Sequence, residues 1–446
     1  MTRWKPTTLT GWGRNRITRT AAARPERPRE LDAAVADTRD VTVLARGAGR
    51  AYGDAALNDG ARVVLTERLD RILSFDAASG VAVCEPGVTF ADLLETFLPR
   101  GFMPPASPGT AFATVGGAVA ADVHGKNHDR HGSFGDHVEW FDLLLADGST
   151  RRITPESDAE LFAATIGGMG LTGIVRAVAF RLLPRATPWV TVREKRIADL
   201  DGYLESFAQV RDSVTFSVGW IDALARGSSL GQGILETAEF HEDRAMPAPP
   251  RPRRVPVDLP SFALNRLSVR AFNELYRRRV PTAGRERQRS FSKLLYPLDA
   301  LHDWNRIYGR RGFYQFQCVL PDRTARAGLR SLLETIAGTG NPSFLAVLKT
   351  LGRTGRGHLS FPMRGHTLAL DFPCGGGADE LLHRLEAITL EYGGRIYLAK
   401  DSLLSRAGFR AMYPELPRFE AVLQRVDPGA RFMSDLARRL GLKGAA

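Results

Sequence analysis

Residues 108–128 form the segment that most constrains what this chain can fold into. Small side chains occupy nearly every position up to Ala121, and Asp122, His124, Lys126 and two more polar residues follow within seven positions. Small side chains let a backbone lie close to a flat or anionic ligand, and consecutive free N–H groups bind phosphate well. A segment that only packs needs larger side chains to fill space. The segment therefore predicts one wall of a ligand site with polar groups beside it.

The chain has 446 residues, 43% of them hydrophobic and 25% charged, which is typical of a soluble globular protein of two or three domains. No apolar run is long enough to span a membrane, and the N-terminal residues lack the apolar core of a signal peptide. We expect a cytoplasmic or membrane-associated protein, and periplasmic residence stays open. Cys84, Cys318 and Cys374 are far apart and lack metal-ligand spacing, so neither a disulfide framework nor a metal site is predicted.

Most of the formal net charge of +12 lies in residues 244–293, which hold twelve arginines and one lysine against three acidic residues. The stretch is also rich in proline. It predicts a mobile surface insertion that contacts anionic lipid headgroups, a phosphate-bearing substrate or nucleic acid, although a solubilising loop without a partner has the same composition. Only Phe272 and Tyr276 supply aromatic rings among these arginines, so nucleic acid is not the expected partner.

The hydrophobic pattern predicts an α+β fold. Short β-rich runs separated by glycine-rich turns dominate the first third, and strands alternate with longer helices beyond Pro184. Strands separated by such helices indicate a sheet covered by helices on one face. The predicted strands are 41–45, 62–66, 71–75, 81–84, 138–146, 149–153, 172–183, 189–192, 214–221, 314–320, 344–350 and 368–372, and the predicted helices are 90–98, 158–165, 200–210, 324–336 and 379–392, with residues 410–442 mostly helical.

A second glycine-rich element, residues 46–54, follows the predicted strand 41–45. A dinucleotide-binding Rossmann loop needs Gly-x-Gly-x-x-Gly opening a helix, but here the third glycine comes one residue late, at Gly53, and turn-like residues follow it. A phosphate nest flanked by Arg46 and Arg50 and an ordinary glycine-rich turn remain equally good interpretations of this element alone.

These two elements combine with Gly167-Gly-Met-Gly-Leu-Thr-Gly173 into a recognisable order and spacing. The chain resembles the FAD-binding domain of the vanillyl-alcohol oxidase/p-cresol methylhydroxylase (PCMH) flavoprotein superfamily. Within it, the chain is most similar to the decaprenylphosphoryl-β-D-ribose 2-oxidase family. The resemblance covers almost the whole chain and is weakest in the basic insertion. The motifs that carry the narrower resemblance are residues 9–14, 124–128, 132–137, 304–309, 397–402 and 433–440.

The resemblance implies a two-domain architecture: a PCMH-type FAD-binding fold and an α+β substrate domain whose antiparallel sheet is covered by helices. Residues 1–184 are expected to form the FAD-binding domain and residues 185–394 the substrate domain, with the basic insertion at about 244–293. Residues 395–446 are expected to return to the FAD-binding domain.

The resemblance also implies FAD as the cofactor. Many superfamily members link FAD covalently to a histidine in the first glycine-rich loop, and this chain has Arg50 at that position, so we expect non-covalent FAD. The pyrophosphate side falls on Arg46, Gly47, Ala48, Gly49, Arg50, Tyr52, Gly53, Gly109, Thr114, Val115, Gly116 and Gly117. The flavin or adenine side falls on Ala121, Asp122, His124, Ile174 and Tyr397.

The family resemblance assigns catalytic roles to Lys400 and His124, with Lys400 at the flavin ring and the substrate hydroxyl. A fixed cation there stabilises the negative charge that builds on the flavin during hydride transfer. The substrate-binding residues are expected to be Lys126, Gln317, Lys349 and Lys400. Simpler interpretations exist: a structural hydrogen-bonded histidine for His124, a surface lysine for Lys400, and sheet-edge residues for Gln317 and Lys349.

The chain departs from the family in its substrate pocket. Ala369 stands where mycobacterial-type members have a cysteine, Thr367 replaces an asparagine, and Leu295 replaces a tyrosine. The cofactor-facing motifs persist without that thiol, so it is not expected to be a general catalytic requirement.

The resemblance implies oxidation of the 2-hydroxyl of polyprenyl-phosphoryl-β-D-ribose to the 2-keto form. This is the first half of epimerisation to the arabinose lipid donor for cell-wall or cell-surface glycan. A separate NAD(P)H-dependent short-chain reductase would complete the epimerisation, and the lipid substrate predicts peripheral membrane contact. The proton acceptor stays open between Lys400, His124 and an ordered water. The alternative function is an FAD-dependent alditol or aldonolactone oxidase acting on a soluble sugar.

Overall fold

The computed structural model describes residues 2–38, 40–184, 186–243, 245–247, 253–260, 264–341, 343 and 345–443. The first 184 residues contain strands β1 (Lys5–Thr10), β2 (Ile17–Ala23), β3 (Val43–Arg46), β4 (Arg62–Leu65), β5 (Ile72–Asp76), β6 (Val81–Cys84), β7 (Phe102–Met103), β8 (Val138–Leu144), β9 (Thr150–Ile153), β10 (Ile174–Arg181) and β11 (Leu183–Pro184). Their helices are α1 (Pro28–Ala36), α2 (Phe90–Phe97), α3 (Val115–Ala120), α4 (His128–His131) and α5 (Ala159–Thr165).

Two sheets organise this part of the chain. The first has the order β1-β2-β4-β3, with β4 parallel to both of its neighbours. The second is antiparallel and has the order β5-β6-β10-β8-β9. Helix α2 buries Phe90, Leu93, Leu94 and Phe97 on one face, as its apolar spacing predicts, and its N-terminus is capped by the side chain of Thr89. The first glycine-rich element follows β3, and the second lies between β7 and β8.

The remaining strands are β12 (Trp189–Ile197), β13 (Phe216–Ile221), β14 (Gly233–Phe240), β15 (Arg253–Arg254), β16 (Arg285–Ser290), β17 (Leu301–His302), β18 (Phe313–Pro321), β19 (Ala346–Leu351), β20 (Gly365–Pro373) and β21 (Arg395–Ile396). The remaining helices are α6 (Leu200–Val210), α7 (Arg266–Arg278), α8 (Phe291–Leu295), α9 (Asp322–Thr339), α10 (Ala378–Glu391), α11 (Arg406–Met412), α12 (Leu416–Val426) and α13 (Asp435–Leu440). Within the described ranges, no helix has the length and apolar character that crossing a membrane requires.

An eight-stranded antiparallel sheet, in the order β16-β12-β14-β13-β19-β20-β18-β21, forms the second layer of the molecule. Side chains alternate across a strand, so the two faces can be separated by register. On β18, Phe316, Cys318 and Leu320 belong to the same buried cluster as residues of α9 and α10. The intervening Gln315 and Gln317 face a large cavity. The predicted α+β class, with helices on one face of an antiparallel sheet, is confirmed.

Residues 266–278 and 285–293 of the predicted basic insertion belong to α7, β16 and α8, so regular secondary structure is found where a loop was expected. Strand β16 pairs with β12 along six residues and so becomes the edge of the large sheet. Its arginines are held by the fully buried carboxylate of Glu194, which lies 2.7 Å from Arg285 and 3.0 Å from Arg287. A buried counter-charge thus allows a basic stretch to fold. Residues 244, 248–252 and 261–263 of the predicted insertion lie outside the described residues.

The C-terminal segment connects the two parts of the molecule. Strand β21 pairs with β18 of the large sheet, and the chain then crosses to the first glycine-rich loop, where the Tyr52 N–H donates to the Ala399 carbonyl. Further on, Phe432 bridges to Val43 of the first sheet. The boundaries 1–184, 185–394 and 395–446 remain a prediction, and the contacts of residues 397–443 with the N-terminal sheets are compatible with it.

Candidate active site

A cavity of about 590 Å3 lies between the glycine-rich loops and the inner face of the eight-stranded sheet. It brings together eighteen of the predicted site residues, which come from every part of the chain. These are Arg46, Gly47, Ala48, Gly49, Arg50, Tyr52, Gly109, Thr114, Gly116, Gly117, Ala121, His124, Lys126, Ile174, Gln317, Lys349, Tyr397 and Lys400.

The first glycine-rich loop is shaped by close backbone packing. A Cβ on Gly53 would lie 1.9 Å from the Asp401 carbonyl oxygen, and one on Gly47 would lie 2.3 Å from the Thr114 hydroxyl. Gly49 has φ +64°, a left-handed conformation that favours glycine. The tight packing of the loop therefore requires glycine at these positions, and the backbone of Gly47 and Gly49 lines the cavity.

Two arginines of this loop have different environments. The guanidinium of Arg46 donates to the carbonyls of Ala56 at 2.9 Å and Thr10 at 2.8 Å, so it braces the loop from inside. The guanidinium of Arg50 lies over the rings of Trp12 and Phe112, at 4.3 and 4.8 Å from their centroids. Its buried Nε has no hydrogen-bond partner among the described residues. Arg50 is thus the better placed of the two to neutralise a bound phosphate.

The second glycine-rich segment contributes the short helix α3. Thr114 caps it by accepting a hydrogen bond from the Gly117 N–H, and a Cβ on Gly116 would meet Pro86 at 2.7 Å. Gly109 has open space around its missing side chain. This part of the segment lies against the cavity, as its small residues predict.

Three predicted cofactor residues, Gly53, Val115 and Asp122, do not line the cavity. Gly53 packs against the C-terminal segment, and Val115 is fully buried in the core. The Asp122 carboxylate accepts hydrogen bonds from the Gly135 N–H at 3.0 Å and the Ser360 hydroxyl at 2.5 Å. Burial raises the pKa of Asp122 to about 6. Because both carboxylate oxygens already accept hydrogen bonds, Asp122 holds the second glycine-rich segment in place from the side away from the cavity.

His124 lies buried beside Gln317, with 3.0 Å between the imidazole Nε2 and the amide nitrogen. An amide nitrogen only donates, so Nε2 is the acceptor and the proton of the neutral ring is on Nδ1. Burial, together with the charges of Lys349 and Lys400, holds the pKa of His124 well below its usual value. Nδ1 is buried and has no partner among the described residues. His124 therefore presents a free N–H donor and no free lone pair.

Lys400 follows Tyr397-Leu-Ala and enters the cavity at its junction with the sheet. Its Nζ lies 3.6 Å from the centroid of the Tyr52 ring, and the Tyr397 hydroxyl donates to the Ala121 carbonyl nearby. Burial lowers the pKa of Lys400 to about 7, and the neighbouring Lys349 adds to the lowering. The negative charge of Asp371 opposes both effects. The amine can therefore change protonation state near neutral pH.

Asp371 was not predicted as a site residue. It is fully buried on β20, where it accepts hydrogen bonds from Gln315 at 2.5 Å and from the Tyr308 hydroxyl at 3.3 Å. Burial raises its pKa to about 7, while the Gln315 hydrogen bond and the Lys400 charge pull it down. A single acidic residue inside an apolar strand was the available signal, since such a residue is rarely buried without a partner.

Lys349 and Lys126 form a second cationic region of the cavity. Lys126 donates to the Leu294 carbonyl and is attracted by Glu236. Lys349 has no hydrogen bond or ion pair among the described residues. Burial and the charge of Lys126 lower its pKa to about 8. Lys349 is thus a cation without a counter-ion, turned toward the cavity.

The cavity also contains residues that were not predicted as site residues, although two of them, Trp12 and Trp304, lie within the motifs at 9–14 and 304–309. Trp12 and Trp304 lie at the loop end, and Trp220, Glu236 and Tyr276 lie at the far end. Two of the positions at which the chain departs from its relatives, Ala369 and Leu295, line the cavity as well, and the third, Thr367, accepts a hydrogen bond from Gln317. Among the described residues no group of three or more potential ligands could hold a metal ion.

The residues present fit FAD. Backbone of Gly47, Gly49, Gly109 and Gly117 lines the cavity, and the buried Arg50 Nε and His124 Nδ1 are donors that lack acceptors among the described residues. An anionic pyrophosphate and a flat ring with carbonyl groups supply the acceptors that such a site requires.

Comparison with known proteins supports the same cofactor. A family model described as an FAD binding domain matches residues 20–154, and one described as D-arabinono-1,4-lactone oxidase matches residues 374–440. The chain is 35% identical to decaprenylphosphoryl-beta-D-ribose oxidase of Mycolicibacterium smegmatis, over 98% of both chains. It is 35% identical to an uncharacterised Streptomyces coelicolor protein, over 80% of this chain and all of that one. It is 21% identical to L-gulono-1,4-lactone dehydrogenase of Mycobacterium tuberculosis, over 94% of this chain and 95% of that one. The chain therefore belongs to the decaprenylphosphoryl-β-D-ribose oxidase family of FAD-dependent oxidoreductases.

Proposed function

We propose that this enzyme oxidises the 2-hydroxyl of a polyprenyl-phosphoryl-β-D-ribose to the ketone, as the first half of epimerisation to the arabinose lipid. The observation that carries the proposal is Lys349, a cation without a counter-ion in the same cavity as Lys400. An enclosed charge is costly unless an anion pairs with it. The phosphodiester of the proposed substrate supplies that anion, whereas a neutral alditol or lactone does not.

FAD fits the loop end of the cavity, where Arg50 and the backbone of residues 46–52, Thr114, Gly116 and Gly117 would hold its pyrophosphate. When bound, FAD accepts the hydrogen and two electrons that leave the carbinol carbon. The Arg50 side chain offers no nucleophile for a covalent link, so the cofactor is expected to be released when the protein unfolds.

Lys400 is the proposed acceptor of the hydroxyl proton. Its pKa of about 7 leaves a substantial neutral fraction at neutral pH, and a general base is most effective when its pKa is near the working pH. Once protonated, the ammonium is a fixed cation beside the reacting groups, and the negative charge of Asp371 favours this protonated form. Tyr52 shields one side of the amine, which keeps it on the cavity side.

His124 and Gln317 have a different role in this scheme. The lone pair on His124 Nε2 is occupied by the Gln317 amide, so His124 is not the base. Its free Nδ1–H is a donor for an oxygen that gains electron density during the reaction. Gln317 also donates to Thr367, which fixes the orientation of its amide for a sugar hydroxyl.

Two partners complete the proposal. A separate NAD(P)H-dependent short-chain reductase would reduce the ketone to the arabinose form. The polyprenyl tail of the substrate resides in a membrane, so the enzyme would work at a membrane surface.

The alternative is oxidation of a soluble aldonolactone or alditol. It is supported by the match of residues 374–440 to the D-arabinono-1,4-lactone oxidase model. Under this alternative the positive charge of Lys349 has no anion to bind, so replacing it should leave activity on a lactone unchanged.

The test is anaerobic mixing of the FAD-loaded enzyme with a short polyprenyl-phosphoryl ribose while flavin absorbance is recorded. We expect rapid bleaching with this substrate and little with gulonolactone or xylitol. Bleaching by gulonolactone or xylitol at the same rate, or none with the phosphorylated ribose, would contradict the proposal.

A further inference from the structure

Helix α7 presents an apolar stripe to solvent. Leu267 and Leu275 are 78% and 72% exposed, which makes them the most exposed large hydrophobic side chains of the described residues. Together with exposed Ala271 they are spaced four residues apart and share one helix face, about 12 Å long at a rise of 1.5 Å per residue. An exposed apolar stripe of this kind is typical of a surface that binds a partner.

Arginines flank the apolar stripe. Arg266 and Arg270 are exposed and have no ion pair or hydrogen bond among the residues that the structure describes. Arg278, at the other end, is exposed and shares Glu274 with Arg277. An amphipathic helix with leucines on one side and uncompensated arginines beside them matches an anionic lipid interface better than it matches a dry protein interface.

The opposite face of the same helix forms part of the active-site cavity. Phe272 and Tyr276 line its far end, and the Tyr276 ring lies 4.7 Å from that of Trp220. Val269 and Asn273 are buried beneath the helix, and Asn273 donates to Asp222 at 2.6 Å. The helix is therefore anchored to the sheet while its two side-chain faces look toward solvent and toward the cavity.

We propose that α7 docks the enzyme on an anionic bilayer, with Leu267 and Leu275 in the headgroup region and Arg266 and Arg270 against lipid phosphates. The choice of occupant rests on the proposed function, since a polyprenyl substrate resides in the bilayer. The docked helix would place the aromatic end of the cavity at the membrane surface, where a lipid-linked sugar can pass from bilayer to Lys400 without crossing bulk water. A second copy of the chain is the competing occupant.

The test is co-sedimentation of the FAD-loaded enzyme with substrate-free vesicles, either phosphatidylcholine alone or an equal mixture with phosphatidylglycerol. Leu267→Gln/Leu275→Gln should lower the vesicle partition coefficient about tenfold or more, because both side chains lose their apolar burial. Arg266→Gln/Arg270→Gln should weaken binding to the mixed vesicles and leave the residual binding to phosphatidylcholine unchanged. The matched control is Ile17→Gln/Leu73→Gln, which removes two exposed hydrophobic side chains from the N-terminal sheets and should bind like the unmodified protein.

Each variant is first checked for unchanged flavin content and melting temperature. Vesicle binding that is the same for the α7 leucine variant and the unmodified protein overturns the proposal. A leucine variant that loses a dimer in sedimentation velocity but keeps its vesicle binding assigns the stripe to a second copy and also overturns it. The vesicles contain no substrate, so failure of the proposed function would appear only in the flavin-bleaching experiment.

Discussion

Replacing Asp371 by asparagine tests whether the Lys400 amine is the base. Asp371 is fully buried, and its charge is the one interaction that holds the pKa of Lys400 up against burial and Lys349. Asparagine keeps the size and can still accept the 2.5 Å hydrogen bond from Gln315. The change therefore removes a charge with little change of shape.

The direction in which the pKa of Lys400 should shift follows from the charge that is removed. Without the carboxylate, the neutral amine of Lys400 is favoured, so its pKa falls further below its ordinary value. An opposite charge within about 4–6 Å shifts a pKa by roughly one to three pH units, equivalent to about 1.4–4 kcal/mol. If neutral Lys400 is the base, the rising limb of kcat/KM should move to lower pH by about that much. The plateau should fall as well, because a weaker base transfers the proton less effectively.

The assay is the pH dependence of anaerobic flavin reduction from pH 5 to 9, on the unmodified and Asp371→Asn enzymes. Asp222→Asn is the matched control, because Asp222 is also buried and accepts hydrogen bonds from two side-chain amides but is not among the charges that act on Lys400. Its pH profile should coincide with that of the unmodified enzyme. A rising limb that stays in place or moves to higher pH in Asp371→Asn would refute the assignment of Lys400 as base.

Three further predictions concern substitutions of single residues. Lys400→Ala should keep its FAD but reduce flavin more slowly by a factor of about 10²–10⁴, measured by stopped flow; normal turnover would exclude a catalytic role. Lys349→Met should raise KM for the phosphorylated riboside more than for a neutral alkyl riboside. In the unmodified enzyme that preference should fade as the pH rises through about 8, where the Lys349 ammonium loses its proton. Gly53→Ala should lower stability by about 1–3 kcal/mol in a denaturant titration, because its Cβ would lie 1.9 Å from the Asp401 carbonyl oxygen; unchanged stability would mean that the loop can move aside.

Much of the fold could be predicted from periodicity. The strand at Val81–Cys84 and the helix at Leu200–Val210 have the predicted bounds, because their apolar residues repeat with the period of the element they form. Strand β16 was missed because alternating arginines resemble a solvated loop until the buried Glu194 is known. That carboxylate is distant in sequence, so no local pattern contains it.

Some residues of the candidate site could likewise be predicted from local sequence, and others could not. Glycine-rich loops have strict local spacing, and most of the residues predicted from them line one cavity, while their contacts with the cofactor remain a prediction. Asp371 and Tyr276 reach the site only through pairing of strands and docking of a helix, and neither belongs to a motif. Asp122 was expected at the cofactor because it lies within a motif, but its carboxylate points to Gly135 and Ser360. Spacing along the chain locates a backbone and does not determine where a side chain points.

The C-terminal segment connects the sheet that would bind the substrate to the loop that would bind the cofactor. The two residues of β21 form the edge of the sheet that contains Gln317 and Lys349. Lys400 follows four residues later, where the chain is hydrogen-bonded to the first glycine-rich loop. Asp401 is then fastened to Asp54 through Arg439, at 2.7 and 2.8 Å. If Lys400 is the base, as proposed, a sugar that displaces the sheet would also displace the peptide that carries this lysine. Under the proposed function, a poorly fitting sugar would thus be rejected through displacement of Lys400.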